Sequence, residues 1–476
     1  MGKNQKRYHE YNEKYPHFIF HGYSVKDVGS SLRVEYDFSI PGLAVFRPHW
    51  LFPKSRSHHL DWDCETLDEL FFSLGMVELI SYWKTVCPPL VKISCRQLSP
   101  EAIAWWVKFY RKGLGEFFYV NRLTPASDFL TIECDEAAAP MKKEDNGGGK
   151  DSVVTKSNNH VLIPIGGGKD SVVTLHLLQN KTTPYCYMIN PRQAALDTVA
   201  AANIPTENII TTTRTLDPRL LTLNREGVFN GHTPFSAIVA FSSVIIAFLH
   251  GISDIALSNE ASANEPTVAD TDINHQYSKS YEFESDFIAY ESRYIASGVR
   301  YFSFLRPLSE LTIAKIFAKL IKYHPLFQSC NVGSKSNIWC TSCSKCLFVY
   351  IILSPFLVDN ELTAIFGRNL LDDDDALKDT FAELIGLCFV KPFECVGSLA
   401  EVRAALFEYI RHREANGLPL PKLVNFFKQV HFSDDEASLG FAAICRGYNE
   451  ENHLPPQFTE ILKEYIEDFC LDRIVE

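Results

Sequence analysis

The chain reads as an α/β protein built on a doubly wound parallel sheet, with an α+β region before it and a helical region after it. Three observations point there. Residues 17–48 alternate apolar and polar side chains in HFIFHGYSV and SLRVEYDFSI, the period of half-buried strands. From Val161 onward, short branched runs alternate with helical patterns: VLIPI, VVTLHLL, PYCYMINP, an Ala-rich stretch at 192–202, NIITTT and DIALSNE. That rhythm is the signature of βαβ units, whose binding sites lie at the C-terminal strand ends. Beyond residue 359 the periodicity is helical, in LTAIFGRNLL, LKDTFAELIGL, SLAEVRAALFEYIRHRE and QFTEILKEYIEDF.

Going along the chain, a turn is expected at Asp27–Ser31 between the first two strands. Leu67–Val86 has helical spacing and stops at the CPP of Cys87–Pro89. Ser99 and Pro100 form an N-cap and first-turn pair, and Gly113 ends the helix they open. The aromatics Tyr82, Trp83, Trp105 and Trp106 are expected to pack a core. The resulting division is an α+β domain over 1–136, a Gly- and Lys-rich linker over 137–160, an α/β domain over 161–358 and a helical region over 359–476.

Composition narrows the function classes. With 46% hydrophobic and 22% charged residues the chain is an ordinary globular one. A net charge of −12 argues against nucleic acid or an anionic membrane as partner. The apolar stretches Phe235–Ile252 and Cys346–Val358 read as buried helices rather than membrane spans. The polar start MGKNQKRYHEYNEKYP has no apolar run, and thirteen cysteines show no small-scaffold framework. Reduced thiols and a cytoplasmic location are expected.

The nine residues GGGKDSVVT occur twice, at Gly147–Thr155 and Gly166–Thr174. The copies differ in context. MKKEDN precedes the first and KSNN follows it, so it lies in the linker. The second stands between the strand VLIPI and the helix that starts with VVTLHLL. A strand, a Gly-rich turn and a helix N-terminus together aim backbone N–H groups and the positive helix end at a phosphate. The motif is not a Walker A loop, because Asp170 separates Lys169 from Ser171. IGGGKDS instead resembles the PP-loop of the adenine nucleotide alpha hydrolase-like ATP pyrophosphatases, Ser-Gly-Gly-x-Asp-Ser, although no serine stands at its first position. That resemblance implies ATP and Mg²⁺. The amides of Gly166, Gly167 and Gly168 and the Ser171 hydroxyl would hold phosphate, Lys169 would add charge, and Asp170 would organise the loop or the metal.

A second constellation is Cys330, Cys340, Cys343 and Cys346, spaced C-x₉-C-x₂-C-x₂-C. Four thiolates suit a structural Zn²⁺, in an arrangement similar to the zinc site of 7-cyano-7-deazaguanine synthase. An Fe–S site fits the same ligands, as does a cluster of buried thiols without metal.

The stretches Arg214–Ala237, Ser258–Pro266, Asn274–Glu284 and Trp339–Phe356, with Leu74–Lys84 and Leu114–Asn121, resemble the UDP-N-acetylmuramoyl-L-alanyl-L-glutamate epimerase family. The resemblance implies inversion of the terminal L-Glu of a peptidoglycan precursor, with ATP going to AMP and diphosphate. It also implies a partner ligase that adds the L-Glu. An acyl-adenylate would remove the carboxylate charge that opposes a carbanion at the α-carbon. His275, Lys279 and His232 are the expected acid/base residues. Asn259, Glu260, Asn264, Glu265, Glu282 and Glu284 are expected to meet substrate or Mg²⁺. Two other readings are an adenylating enzyme for amidation or thiolation, and an ATP-binding protein without turnover.

Overall fold

The computed structural model describes residues 2–55, 64–140, 159–430 and 440–471. The first GGGKDSVVT copy and most of the expected linker lie outside the described residues. Among the described residues eleven strands occur: β1 (His17–Asp27), β2 (Ser31–Ile40), β3 (Ala44–Phe46), β4 (His49–Pro53), β5 (Leu90–Ile93), β6 (Thr131–Cys134), β7 (His160–Pro164), β8 (Thr183–Ile189), β9 (Ile209–Thr215), β10 (Asp254–Leu257) and β11 (Arg300–Ser303). Helices fill most of the remainder, so the α/β class stands. Contacts divide the chain into two compact units, with four of the five boundaries inside β7, β9, β10 and β11 and the fifth at Thr271–Asp272.

The first unit comprises Met1–Leu162, Ile210–Ile255 and Asp272–Tyr301. Its sheet is mixed. β1 and β2 form the expected hairpin around Gly29, whose φ of +81° suits a glycine in a tight turn. β2 also pairs antiparallel with β3 and β4, while β1, β5 and β6 run parallel. β9, expected in a wholly parallel sheet, pairs antiparallel with β4 in this unit, with Trp50 opposite Arg214. The alternation in β2 buries Leu32, Val34, Tyr36 and Phe38 on one face. Helix Glu65–Trp83 is apolar on nearly every side, and helix Phe235–His250 packs against it. A helix that is hydrophobic all round needs neighbours on all sides. The second of these helices holds the apolar stretch at 235–252 inside the protein. Among the described residues no helix is long and apolar enough to cross a membrane. Helix Pro100–Gly113 starts as expected, with Ser99 Oγ accepting from Ala102 N. Trp106 packs with Phe241 and Tyr290 in this core.

The second unit comprises Ile163–Ile209, Ala256–Thr271 and Phe302–Glu476. Here the chain passes from the end of β7 through helix Lys169–Leu178 to β8 and helix Gln193–Ala201. Ile165 N donates to Tyr187 O at 2.8 Å, which ties the end of β7 to β8. The region after residue 359 is helical, as expected. Helix Ser344–Leu353 carries the apolar CLFVYIIL and is buried along its length. It packs against helices Glu310–Ala318, Asp374–Leu384 and Leu399–Ala415. The acidic run 372–375 opens a helix: Asp373 caps it, accepting from Ala376 N.

Gly75 sits where helix Glu65–Trp83 crosses the aromatic face of the hairpin. A Cβ there would lie 2.6 Å from Phe20 and 2.7 Å from Tyr36, both buried rings. Gly75→Ala is therefore expected to lower unfolding free energy by about 1–3 kcal/mol, read from urea melts. Wild-type stability in that variant would contradict this packing.

Candidate functional site

Each unit contains functional groups drawn together by the fold, and the first gathers one such concentration. In the first unit it forms around Glu116, in the first turn of the short helix Gly115–Val120. His232 reaches it from the loop that precedes helix Phe235–His250, and His275 from the segment before the 3₁₀ turn Tyr277–Lys279. Glu116 Oε2 lies 2.5 Å from His275 Nδ1 and 3.1 Å from His232 Nδ1. The two imidazole centroids are 4.7 Å apart. Lys84, just past helix Glu65–Trp83, is buried and donates to Gly231 O, to His232 O at 3.2 Å and to Thr233 Oγ1 at 2.6 Å. No carboxylate is among these partners. Burial accordingly pulls the ammonium down to about 8, with Arg214 adding to the shift and Glu116 opposing it. Burial also lowers His232 to about 4; Glu116 opposes the shift, while His275 and Lys84 add to it.

A buried ion pair stands behind this centre. Arg214, in β9, bonds both oxygens of Glu78 at 2.8 and 2.9 Å and donates to Ser81 Oγ at 3.1 Å. Trp50 Nε1 donates to the same carboxylate. The pair fixes the turn of helix Glu65–Trp83 from which Lys84 projects. Arg214 is thus held within the protein by Glu78.

The structure brings His232 and His275 together. Lys279 is half-buried at the end of its 3₁₀ turn. Glu282 pairs with Lys108 and Lys112, each at 2.9 Å, and Glu284 is buried in the same helix, Tyr281–Tyr290. Glu116 and Lys84 were missed. Both occur in stretches that carry the family resemblance, yet nothing in their local pattern sets them apart, because their partners lie far away in the sequence.

The second unit holds the Gly-rich loop. Gly167 has φ +87°, and a Cβ on it would lie 2.7 Å from Ala195 N. A Cβ on Gly168 would lie 2.8 Å from Ser329 Oγ. Gln328 N donates to Gly167 O at 2.8 Å. At Gly167, with its positive φ and backbone neighbours, only glycine fits. Gly168 is the N-cap of helix Lys169–Leu178, and no side chain caps it. The Ser171 hydroxyl donates to Gly168 O at 3.0 Å. Lys169 is buried, and its ammonium bonds Glu310 and Asp170. Burial raises Glu310 to about 7, against the pull of Lys169. Glu310 N in turn donates to Glu401 Oε1 at 2.7 Å.

Of the remaining expected contacts, Asn259 donates to Ser303 Oγ at 3.0 Å and Glu260 is buried, its carbonyl accepting from Arg306. Glu265 pairs with Lys391 at 3.0 Å, and Asn264 is exposed. The four cysteines converge. Sγ separations are 3.7 Å for Cys330–Cys343, 3.7 Å for Cys340–Cys346 and 3.5 Å for Cys343–Cys346. Ligands at about 2.3 Å from a tetrahedral Zn²⁺ stand about 3.8 Å apart, so the cluster fits that ion. Gly333 N donates to Cys330 Sγ at 3.2 Å, against the burial that pushes this thiol up. Hydrogen bonding from Cys346 brings Cys343 down to about 5.

The profile of the MurL N-terminal domain matches residues 9–304, and that of the MurL C-terminal domain matches residues 326–438. Two curated relatives carry the name UDP-N-acetyl-alpha-D-muramoyl-L-alanyl-L-glutamate epimerase. The one from Micromonospora sp. is 30% identical over 94% of this chain and 98% of its own length. The one from Xanthomonas oryzae pv. oryzae is 35% identical over 70% of this chain and 72% of its own. No solved structure matches the chain.

His232 gives the fold a pH dependence. Its folded value, about 4, lies below the ordinary 6.5, so between those values the unfolded chain binds the extra proton. Stability attributable to this group falls as pH falls from about 6.5 towards 4. The melting temperature of His232→Gln is expected to drop less steeply across that window than that of the wild type. Parallel curves would contradict the burial of a neutral imidazole.

Proposed function

The chain belongs to the MurL family and is an epimerase, hence an isomerase, and from that premise we propose that it inverts the terminal L-Glu of UDP-N-acetylmuramoyl-L-alanyl-L-glutamate to D-Glu. The observation that carries the reading is the similarity to the Micromonospora epimerase over nearly the whole of both chains. We further propose that ATP drives the step and leaves as AMP and diphosphate, in the cytoplasm, after a ligase has added the L-Glu.

The chemistry asks for two centres. A free α-carboxylate opposes a carbanion beside it, and joining it to AMP removes that charge and acidifies the α-proton. We assign this activation to the loop between β7 and helix Lys169–Leu178, read as a PP-loop in a doubly wound fold. Support comes from two glycines whose Cβ atoms would clash and from an N-terminus without a side-chain cap. In this reading the amides of Gly166, Gly167 and Gly168 and the Ser171 hydroxyl hold phosphate. Asp170, which bonds Lys169, is the loop carboxylate we assign to Mg²⁺. Lys169 is buried against Glu310, so its role is to anchor the loop.

We assign proton transfer to the centre around Glu116. His232 and His275 meet there and are the groups we assign to take and return the α-proton. Lys279 follows His275 in the same segment as a further donor. Lys84 holds the loop of His232 in place. The four cysteines would hold a structural Zn²⁺, which supplies cross-linking and no chemistry to the reaction.

Two outcomes are expected. With the UDP-linked dipeptide and ATP, the protein should release AMP and diphosphate, and Gly167→Ala should abolish that release while Gly148→Ala in the first copy leaves it intact. Equal loss from both would contradict the assignment of the loop. One zinc per chain is expected by elemental analysis, lost in Cys343→Ser along with thermal stability; zinc retained in that variant would contradict the ligand set.

A further inference from the structure

Glu116 is the point where two imidazoles meet one carboxylate oxygen. Its helix, the loop of His232 and the segment of His275 come from three separate parts of the chain within one compact unit. Both contacts use Nδ1 on the histidine and the same Oε2 on the glutamate. The His275 contact is a hydrogen bond, and a carboxylate has only lone pairs to offer, so its hydrogen is on the ring, while His232 Nδ1 stands 3.1 Å from the same oxygen as an ion-pair contact.

The same three groups could ligate a cation, since their ligand atoms lie within 4.8 Å of one another. The His275 distance favours the hydrogen-bonded reading. Two ligands about 2.1 Å from one ion stand about 3 Å apart at a right angle, whereas Glu116 Oε2 and His275 Nδ1 are 2.5 Å apart. That separation suits a charge-assisted hydrogen bond.

We propose that Glu116 is a positioning residue that fixes His232 and His275 as Nδ1–H tautomers, so that each imidazole turns Nε2 to the reacting carbon. The proposal rests on the epimerase reading and names how the two histidines are made competent. In a neutral Nδ1–H imidazole the lone pair is on Nε2. One histidine accepts the α-proton there as the C–H electron pair moves towards the activated carbonyl. The other, as imidazolium, releases its Nε2 proton to the opposite face as that pair returns to the α-carbon. One proton is taken and one given, and the imidazolium changes place. Glu116 touches both rings, so its charge offsets the cation before and after the step, as a triad carboxylate does for its single histidine. Lys84, which donates to the His232 carbonyl, keeps a further positive charge close by and favours the neutral form of that ring.

The test is long-range ¹H–¹⁵N NMR of the full-length protein with ring-¹⁵N histidine, the two rings being assigned from His232→Gln and His275→Gln. Nδ1–H signatures on both rings in the wild type are expected. Glu116→Ala should release that preference and lower kcat at least about a hundredfold, with a smaller change in KM. An Nε2–H tautomer on either ring of the wild type, as ligation of a metal through Nδ1 would impose, would overturn the proposal. So would tautomers unchanged by Glu116→Ala. If that variant does not fold, the wild-type tautomers decide alone. Predicted tautomers in a protein that does not epimerise the UDP-linked dipeptide would remove the functional reading and leave the role of Glu116 standing.

Discussion

The Arg214–Glu78 pair is the constraint on which the first unit depends. Glu78 is fully buried on a helix with almost no polar face, and Arg214 comes from a strand that joins the hairpin sheet antiparallel. An unpaired charge at that depth would be strongly destabilising, so helix and strand are held in one register. Everything nearer the functional centre follows from that register. Lys84 ends the same helix and reaches three acceptors around His232. His232 and His275 then share Glu116. Two titratable rings are thus placed by a chain of polar contacts, and burial sets His232 apart from free imidazole.

The second unit applies the same economy at its loop. The backbone at Gly167 and Gly168 is closed in by Ala195 and Ser329, so side chains are excluded and N–H groups remain. The lysine of GGGKDS turns inward to Glu310, whose backbone is in turn bonded by Glu401 in the C-terminal helices. Those helices therefore hold the loop through a buried charge network. This gives the C-terminal region a physical role beyond packing.

Local patterns made much of this legible from the sequence. The hairpin, the Ser99–Pro100 helix start, the two buried apolar helices and the cysteine spacing are all written in periods and short offsets. The pairing of β4 with β9 is not, because an isolated short strand carries no mark of its neighbour's direction. Glu116 and Lys84 are hidden for a related reason. A glutamate in a first helical turn and a lysine after a helix are ordinary choices, and only folding shows that one meets two histidines and the other is desolvated. The inward turn of Lys169 likewise depends on Glu310, far along the chain.

The most direct test of the account is incubation of the protein with UDP-N-acetylmuramoyl-L-alanyl-L-glutamate, ATP and Mg²⁺ in D₂O, followed by chiral analysis of the terminal glutamate. D-Glu carrying deuterium at the α-carbon, formed only when ATP is present, is the predicted result. Inversion without deuterium, or deuterium uptake that does not depend on ATP, would contradict proton transfer at an activated carboxylate.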